Sequence, residues 1–412
     1  MNMGLRKLST IRVLFLTENV PYSLDTRIQR ETDALKQLGV VSTMISPAGK
    51  GEPLHDVQAG MHVYRYPKPS WGAGFFAHVA EYVTSVIAQT CLAAWVYVRH
   101  GFDVIHAGNP PDLLWMVAAP YKLFGKTFIY DQHDPVPELF EVRWGKKLSV
   151  LVHVLYALES ISYRLADYII TTNDTFRQIA IARSGRPPAH VTVVRNGPHL
   201  AVDFPPTEPD PAVRAWGHTI VGYLGIMNPQ DDLDIFMHMA RIIRIDRQRT
   251  DIGFVMVGSG DAFPALQQLR DELGLTDAVL MTGSIPWPRV LATLAAADLC
   301  VQPDLPSAYN NNLTTNKLME YMAMGKATVA FDLPEARVSG GNAVCFVETY
   351  STDALADAVL DLVDDPERRR VMGLQARQRV ETTLAWEHQA QSLVRVYQQL
   401  FPGSCALPYP EH

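Results

Sequence analysis

The sequence predicts an α/β protein built from two Rossmann-like domains, and three observations predict it. At 412 residues the chain has room for two domains of ordinary size. Short apolar runs of strand type recur along it, interleaved with segments of helical periodicity, the order that a parallel sheet requires. Between the halves, Pro198 to Pro211 is rich in proline and acid and poor in apolar residues, which reads as a linker. The expected bounds are 1–200 for the first domain, 201–216 for the linker and 217–385 for the second.

Hydrophobic residues make up 48% and charged residues 19%, enough for two sizeable cores. The formal charge of −7 argues against a nucleic-acid partner. The cysteines Cys91, Cys300, Cys345 and Cys405 form neither a CxxC pair nor a zinc pattern. They read as reduced thiols, three of them buried, in a cytoplasmic protein. Met1 to Thr10 is polar and basic and leads into a strand, so no secretory signal is expected.

Ile11 to Leu16 reads as a fully buried parallel strand. The loop after it, Thr17 to Thr26, lacks the glycines that a dinucleotide pyrophosphate needs, which counts against a dehydrogenase. Asp25 can cap a helix running to about Leu38, with Arg27 exposed in its first turn. Val41–Ser46 and Met61–Tyr66 are the next strands. Gly74 to His100 is long and largely apolar, but His78, Glu81, Thr84, Ser85, Gln89 and Thr90 interrupt it, which argues against a span. A core helix is the default reading. The alternative is an interfacial helix facing a lipid-linked acceptor, which would give a peripheral membrane contact. Val104–His106 is a strand, Gly108 to Asp112 a turn, Leu113–Phe124 a helix and Thr127–Tyr130 a strand. That strand runs out into Asp131, His133, Asp134 and Glu138, where parallel sheets place ligands. A helix Leu148–Leu165, a strand Tyr168–Thr172, a helix from Asp174 and a strand Val191–Val194 complete the half.

The second half opens with strand Thr219–Leu224 and a loop from Gly225 through Asp231, Asp232 and Asp234. Acids in a first helical turn suit the helix dipole and are not read as a metal site. Ile252–Val257 is a strand, and Gly258-Ser259-Gly260 after it suits close approach of a ligand. Val279–Met281 leads into Thr282-Gly283-Ser284-Ile285. The stretch PDLPSAYNNNLTTNKLMEYMAMGK, Pro303 to Lys326, follows the strand Leu299–Val301. It is a polar loop and then a helix that Thr314 or Thr315 can cap, with Leu318, Met319 and Met322 as its buried face. Free amides at that helix start attract an anion, Lys317 can add a point charge to a phosphate, and Glu320 can accept from vicinal sugar hydroxyls. Those parts describe a site for a sugar nucleotide. The other reading is an ordinary capped helix with Lys317 and Glu320 as a solvated pair. Helices at Asp353–Val363, Pro366–Thr382 and Trp386–Phe401 close the chain.

NKLMEYMAMGKATVAFDLPEARVSGGNA, starting at Asn316, resembles the family-four retaining glycosyltransferases of the GT-B fold. It is most similar to a bacterial branch that makes surface polysaccharides and other glycosylated products. The resemblance implies two Rossmann-like domains facing an interdomain cleft, with a terminal helix at about 386–401 crossing back to complete the first. It implies a nucleotide-sugar donor, a UDP-sugar before a GDP-sugar. The acceptor would be a hydroxyl of a glycan, lipid-linked or small-molecule compound, and no cofactor or metal is required. Glu320 matches the family's ribose-binding glutamate, and Asn312 stands where the pattern has its first glutamate. The donor would also be met at Gly225, Gly258, Gly260, Gly283, Ile285, Asn311, Leu313, Thr314, Thr315 and Asn316. His133 matches a histidine that contacts the donor sugar near its anomeric centre; its other reading is a loop histidine bonded to Asp134. Asp25, Arg27, Asp134 and Glu138 fall on the acceptor side.

The family's arginine and lysine after Gly225 are absent, with Asp231 and Asp232 where the lysine is expected. Charge compensation for the diphosphate would fall to the amides near Thr314, to Lys317 and to Arg337. The rival classes are a sugar-nucleotide epimerase or hydrolase on the same fold, and a non-catalytic nucleotide-binding partner. A cytoplasmic enzyme at the inner face of the membrane is the expected setting.

Overall fold

The computed structural model describes residues 10–68, 75–144 and 149–402. Contacts divide the chain into two compact units, Met1–Asn196 with Glu387–His412, and Gly197–Trp386.

Unit 1 is organised on eight strands: β1 (Arg12–Leu16), β2 (Val41–Pro47), β3 (His55–Gln58), β4 (Met61–Tyr66), β5 (Val104–Gly108), β6 (Thr127–Gln132), β7 (Tyr168–Thr171) and β8 (Val191–Val193). Their order is β3-β4-β2-β1-β5-β6-β7-β8. Every pairing is parallel except β3 with β4. The short antiparallel β3 escapes a search for apolar runs because His55-Asp56-Val57-Gln58 is a polar edge strand. The helices are α1 (Thr26–Gln37), α2 (Phe75–Arg99), α3 (Trp115–Lys122), α4 (Val136–Trp144), α5 (Ser149–Leu165) and α6 (Asp174–Ser184). Asp25 accepts from the Ile28 amide and so caps α1. Leu14, Ile105 and Phe128 of the sheet pack with Val96 of α2, Val117 of α3 and Tyr163 of α5 in one core. The expectation of α2 as a core helix holds for one face only. Ser85, Val86, Gln89, Ala93 and Val96 are buried, whereas Val83, Ile87, Trp95 and Val98 are exposed. The C-terminal helix, Trp386–Leu400, sets the Tyr397 hydroxyl 2.9 Å from His106 Nδ1 on β5.

Unit 2 has six parallel strands, β9 (Thr219–Leu224), β10 (Ile252–Val257), β11 (Val279–Met281), β12 (Leu299–Gln302), β13 (Ala327–Phe331) and β14 (Cys345–Val347), in the order β11-β10-β9-β12-β13-β14. The predicted linker is not a bare tether. It contains the short helices α7 (Leu200–Asp203) and α8 (Pro211–Arg214), and it buries Phe204 and Val213 against unit 2. Two apolar anchors in a proline-rich stretch were too sparse to show periodicity. The remaining helices are α9 (Leu233–Arg241), α10 (Phe263–Glu272), α11 (Trp287–Ala296), α12 (Asn316–Ala323), α13 (Pro334–Gly340), α14 (Thr352–Val363) and α15 (Pro366–Arg379). The expectation of three buried cysteines is corrected: Cys300 is buried, Cys345 half-buried and Cys91 exposed, and Cys405 lies outside the described residues.

Candidate functional site

In each sheet the strand order reverses once, between β1 and β5 and between β9 and β12. Loops leaving the carboxyl ends at such points diverge and leave a crevice. In unit 2 those loops are Gly225 to Asp232 after β9 and Pro303 to Thr315 after β12.

Lys317, in the first turn of α12, reaches back between them. Its Nζ lies 3.0 Å from Asp304 Oδ1 and 3.3 Å from Asp231 Oδ1, and it donates to the Tyr223 hydroxyl at 3.4 Å. The alternative reading, Lys317 as a solvated surface residue paired with Glu320, is corrected: its partners are Asp304, Asp231 and Tyr223. Burial alone lowers the Lys317 pKa, but the Asp304, Tyr223 and Asp231 charges outweigh it and hold the ammonium above its ordinary value. Burial pushes the Asp231 carboxyl up in spite of Lys317. Asp231 also accepts from the Asn228 amide, and Asp232 accepts from the Leu305 amide, tying the two loops together. Asp231 therefore caps a turn and pairs with Lys317, and Asp234 lies in the first turn of α9.

Around this ion cluster, Gln230 Oε1, Gln302 Oε1, Asp304 Oδ2, Asn311 Oδ1 and Thr315 Oγ1 are buried with no hydrogen-bond partner among the described residues. Native proteins rarely leave such atoms unpaired, and these five lie at or beyond the carboxyl ends of β9 and β12, where a polar ligand would complete them.

Thr315 holds the N-cap position of α12 without a side-chain cap bond, and Thr314 Oγ1 instead donates to Glu335 Oε2 at 3.1 Å. The expected threonine cap is thus absent, and the first amides of α12 lack a side-chain acceptor from that residue. Glu320 is half-buried one turn further in. Asn312 is half-buried and its Nδ2 donates to the Ala308 carbonyl; Leu313 is half-buried and Asn316 exposed.

Gly258 and Gly260 do leave room for a close approach, but the approaching group is the protein's own backbone. A Cβ on Gly258 would fall 1.9 Å from the Gly225 carbonyl oxygen, and one on Gly260 would fall 2.4 Å from that of Met227. The small residue is needed at both positions for the packing of these two loops. Gly283, at φ +66°, accepts from the Gly258 amide, and Ile285 packs on the apolar cluster of Val257 and Tyr321. Arg337, expected to compensate the diphosphate, is exposed and bonded through two nitrogens to Asp332.

In unit 1, His133 Nε2 lies 2.7 Å from Asp131 Oδ2, which corrects the alternative pairing with Asp134. Asp131 also receives Arg27 Nε at 2.8 Å and Nη2 at 2.7 Å. Arg27 is buried, neither exposed nor open to an acceptor, because Asp131, Glu31, the Val194 carbonyl and Asn196 Oδ1 consume its donors. Burial alone would raise the Asp131 pKa; the Arg27 and His133 charges overcome it and hold the carboxylate well below its ordinary range. Asp131 accepts from His133 Nε2–H, which fixes the ring and turns its Nδ1 edge away from Asp131. Asn109 Oδ1 takes the backbone amides of His133 and Asp134, at 2.6 and 3.2 Å. The His133 ring lies over Gly108, where a Cβ would stand 2.8 Å from Cε1. Asp134 is half-buried in the same turn. Glu138 is buried and paired with Arg183, and Asp25 caps α1.

Sequence reasoning missed Asp304, Tyr223, Asn109 and the role of Asp131 as common partner. Their signal is positional only: each lies at or just past the carboxyl end of a strand.

Two doubly wound α/β units, each with polar loops at a strand-order reversal, define a class of α/β proteins that place ligands at those loops. Comparison with known proteins narrows it. A family described as "Glycosyl transferase 4-like domain" matches residues 24–197, and one described as "Glycosyl transferases group 1" matches residues 218–365. Sucrose-phosphate synthase from Thermosynechococcus elongatus has the same fold, with a TM-score of 0.76 at 17% identity over 95% of this chain and 99% of that one. Anabaena HepE in complex with UDP-glucose gives 0.68 at 16% identity, over 94% of this chain and 100% of that one. The chain belongs to the family-four glycosyltransferases with the GT-B fold.

Among curated proteins it is similar to the alpha-D-kanosaminyltransferase of Streptomyces kanamyceticus, 30% identical over 37% of this chain and 38% of that one. It is also similar to the MMP alpha-(1->4)-mannosyltransferase of Mycolicibacterium hassiacum, 24% identical over 73% of this chain and 71% of that one. A GDP-mannose-dependent mannosyltransferase of Corynebacterium glutamicum is 29% identical over 36% of this chain and 40% of that one. The chain thus spans about two fifths of the length of the first and third of these relatives.

Proposed function

We propose that the protein transfers a sugar from a nucleotide-sugar donor, a UDP-sugar before a GDP-sugar, to a hydroxyl of a glycan, lipid-linked or small-molecule acceptor. The observation that carries this reading is the set of unpaired buried polar atoms around Lys317, at the carboxyl ends of β9 and β12. Relatives named for GDP-mannose and similar folds solved with UDP-glucose support both donor classes.

On this reading unit 2 holds the donor. Glu320 accepts from the ribose hydroxyls. The α12 amides and Lys317 meet the diphosphate as its charge develops. His133 offers Nδ1 to a sugar hydroxyl, held in place by Asp131 and Asn109. The anomeric configuration is retained, the leaving phosphate helping to deprotonate the acceptor on the same face. No metal is required, because the Lys317 ammonium already stands between Asp231 and Asp304, where a cation would sit. The enzyme works in the cytoplasm at the inner face of a membrane.

A thermal-shift panel of UDP, GDP, ADP and dTDP with their sugars tests the donor. A rise in melting temperature with UDP- or GDP-sugars, unchanged by EDTA, is expected. No response to any nucleotide would overturn the reading, and release of free sugar without acceptor would replace transfer by hydrolysis.

A further inference from the structure

Two lysines of unit 2 stand near the two ends of α12, and their surroundings are opposite in charge. Lys317, in the first turn, lies between Asp304 and Asp231. Lys326, past the last turn and just ahead of β13, has no carboxylate against it among the described residues. Its Nζ donates to the Ala295 and Ala297 carbonyls, at 2.9 and 2.7 Å, where α11 ends. An ammonium has three protons to donate, so one is left over. Burial prevails here: it holds the Lys326 pKa below its ordinary value, although Cys300 and Asp298 oppose it, and the Arg214 charge adds to the fall.

Lys326 lines a cavity of about 380 Å³ at the amino ends of β12 and β13. That is the opposite edge of the sheet from the loops around Lys317. Arg214 of α8, Asp298 just ahead of β12, and Arg369 and Arg370 of α15 share the wall. Two of these four cations are balanced, Arg214 by Asp298 and Arg370 by Glu367. The acids that lead into α15 are engaged elsewhere, Asp364 with Arg249 and Asp365 with the Arg368 amide. Arg369 bonds only carbonyls: its Nη1 donates to those of Leu362 and Val363, at the end of α14, and its other nitrogens have no partner among the described residues.

Lys326 and Arg369 thus cap the carboxyl ends of two helices, which accounts for their contacts. It does not account for their charge. A helix end supplies about half a negative charge, so two such ends leave roughly one positive charge uncompensated. A half-buried cation without a counter-charge is costly, and an anion in the cavity would supply one. A carboxylate brings a single charge, whereas a phosphomonoester brings about −1.5 to −2 at neutral pH. The guanidinium fork suits two phosphate oxygens, and the ammonium adds a point charge.

We propose that this cavity is a second ligand site, for a phosphate or phosphomonoester anion, with Lys326 and Arg369 as its binding cations. The site lies apart from the loops assigned to the donor and does not depend on which sugar is moved.

The test is isothermal titration calorimetry of the full chain with inorganic phosphate, against acetate and against sodium chloride at matched ionic strength. Saturable phosphate binding is expected, with acetate weaker. An anion lifts the depressed Lys326, so binding at alkaline pH should take up protons, read as an enthalpy that differs between buffers of unlike ionisation heat. Lys326→Met and Arg369→Gln should each weaken phosphate roughly tenfold or more, the loss of a hydrogen bond to a charged group. Both should keep the nucleotide thermal shift of the unaltered protein. Arg369→Gln changes a half-buried group of the cavity wall, so it decides the matter even if Lys326→Met does not fold. Absence of saturable binding, or heats that chloride reproduces, would overturn the site. So would phosphate binding that UDP displaces and both variants leave intact, which would assign the anion to the donor loops. Phosphate binding without a nucleotide shift in any sample would refute the donor reading and leave this cavity standing.

Discussion

Lys317→Met removes a single positive charge from between two carboxylates. In the intact protein the Lys317 side chain is 11% exposed, Asp304 4% and Asp231 19%. With both contacts close to 3 Å, the gross attraction is roughly 5 kcal/mol for each at an effective dielectric of 20, before desolvation is subtracted. What the substitution exposes is the opposite imbalance: two buried carboxylates facing each other with no cation. Breaking a buried pair in this way costs about 3–5 kcal/mol. Urea unfolding of the unit 2 transition should show that loss. The double variant Lys317→Met/Asp304→Asn should recover part of it, with a coupling energy above about 1 kcal/mol. Asp231→Asn gives the functional counterpart without endangering the fold. It strips Lys317 of one counter-charge and should tighten nucleoside diphosphate binding about threefold or more. A stability loss below about 1 kcal/mol in Lys317→Met would refute the buried ion cluster. Weaker diphosphate binding by a folded Asp231→Asn would refute Lys317 as the phosphate cation.

Glu320→Ala should stay folded and lose about 1.5–3 kcal/mol of nucleotide affinity by calorimetry, the worth of hydrogen bonds to a charged group. His133→Ala should lower turnover far more than affinity for the free nucleoside diphosphate; equal losses would remove it from the reacting centre. Burial first, then the Asp112 charge, pushes the Glu159 carboxyl up to about 8 against the pull of Arg183. Unfolded, it titrates near 4.3, so stability falls as pH rises between about 4.3 and 8, by at most about 5 kcal/mol. Glu159→Gln should therefore gain on the unaltered protein in unfolding experiments as pH is raised from 5 to 8, and a pH-independent difference would exclude this group as the cause.

The alternation of apolar runs and helices in the sequence was enough to place β1, β4, β9 and β10 to within a residue at either end, because strands buried on both faces leave little else for such runs to be. It could not place β3, whose residues are polar, or α4, which begins where the acids after β6 suggested a loop. At the site, residue types and spacing located the right loops but not the partners within them. Lys317 and Glu320 are three apart and were read together. The actual partners of Lys317 lie 86 and 13 residues away and meet it only because the strand order reverses between β9 and β12. The glycines after β10 show the same limit: need for a small residue was legible, but not whether the neighbour was a ligand or another loop.

The contact between His106 and Tyr397 spans 291 residues. Because the C-terminal helix supplies that hydroxyl, unit 1 is interrupted in the chain by the whole of unit 2. A ribosome making this protein therefore releases the first eight strands long before the helix that finishes their packing. Throughout that interval the neighbourhood of His106, Glu31 and Asp131 lacks its final wall. Unit 2 can fold as a contiguous segment while unit 1 waits, so the order of completion is the reverse of the order of synthesis.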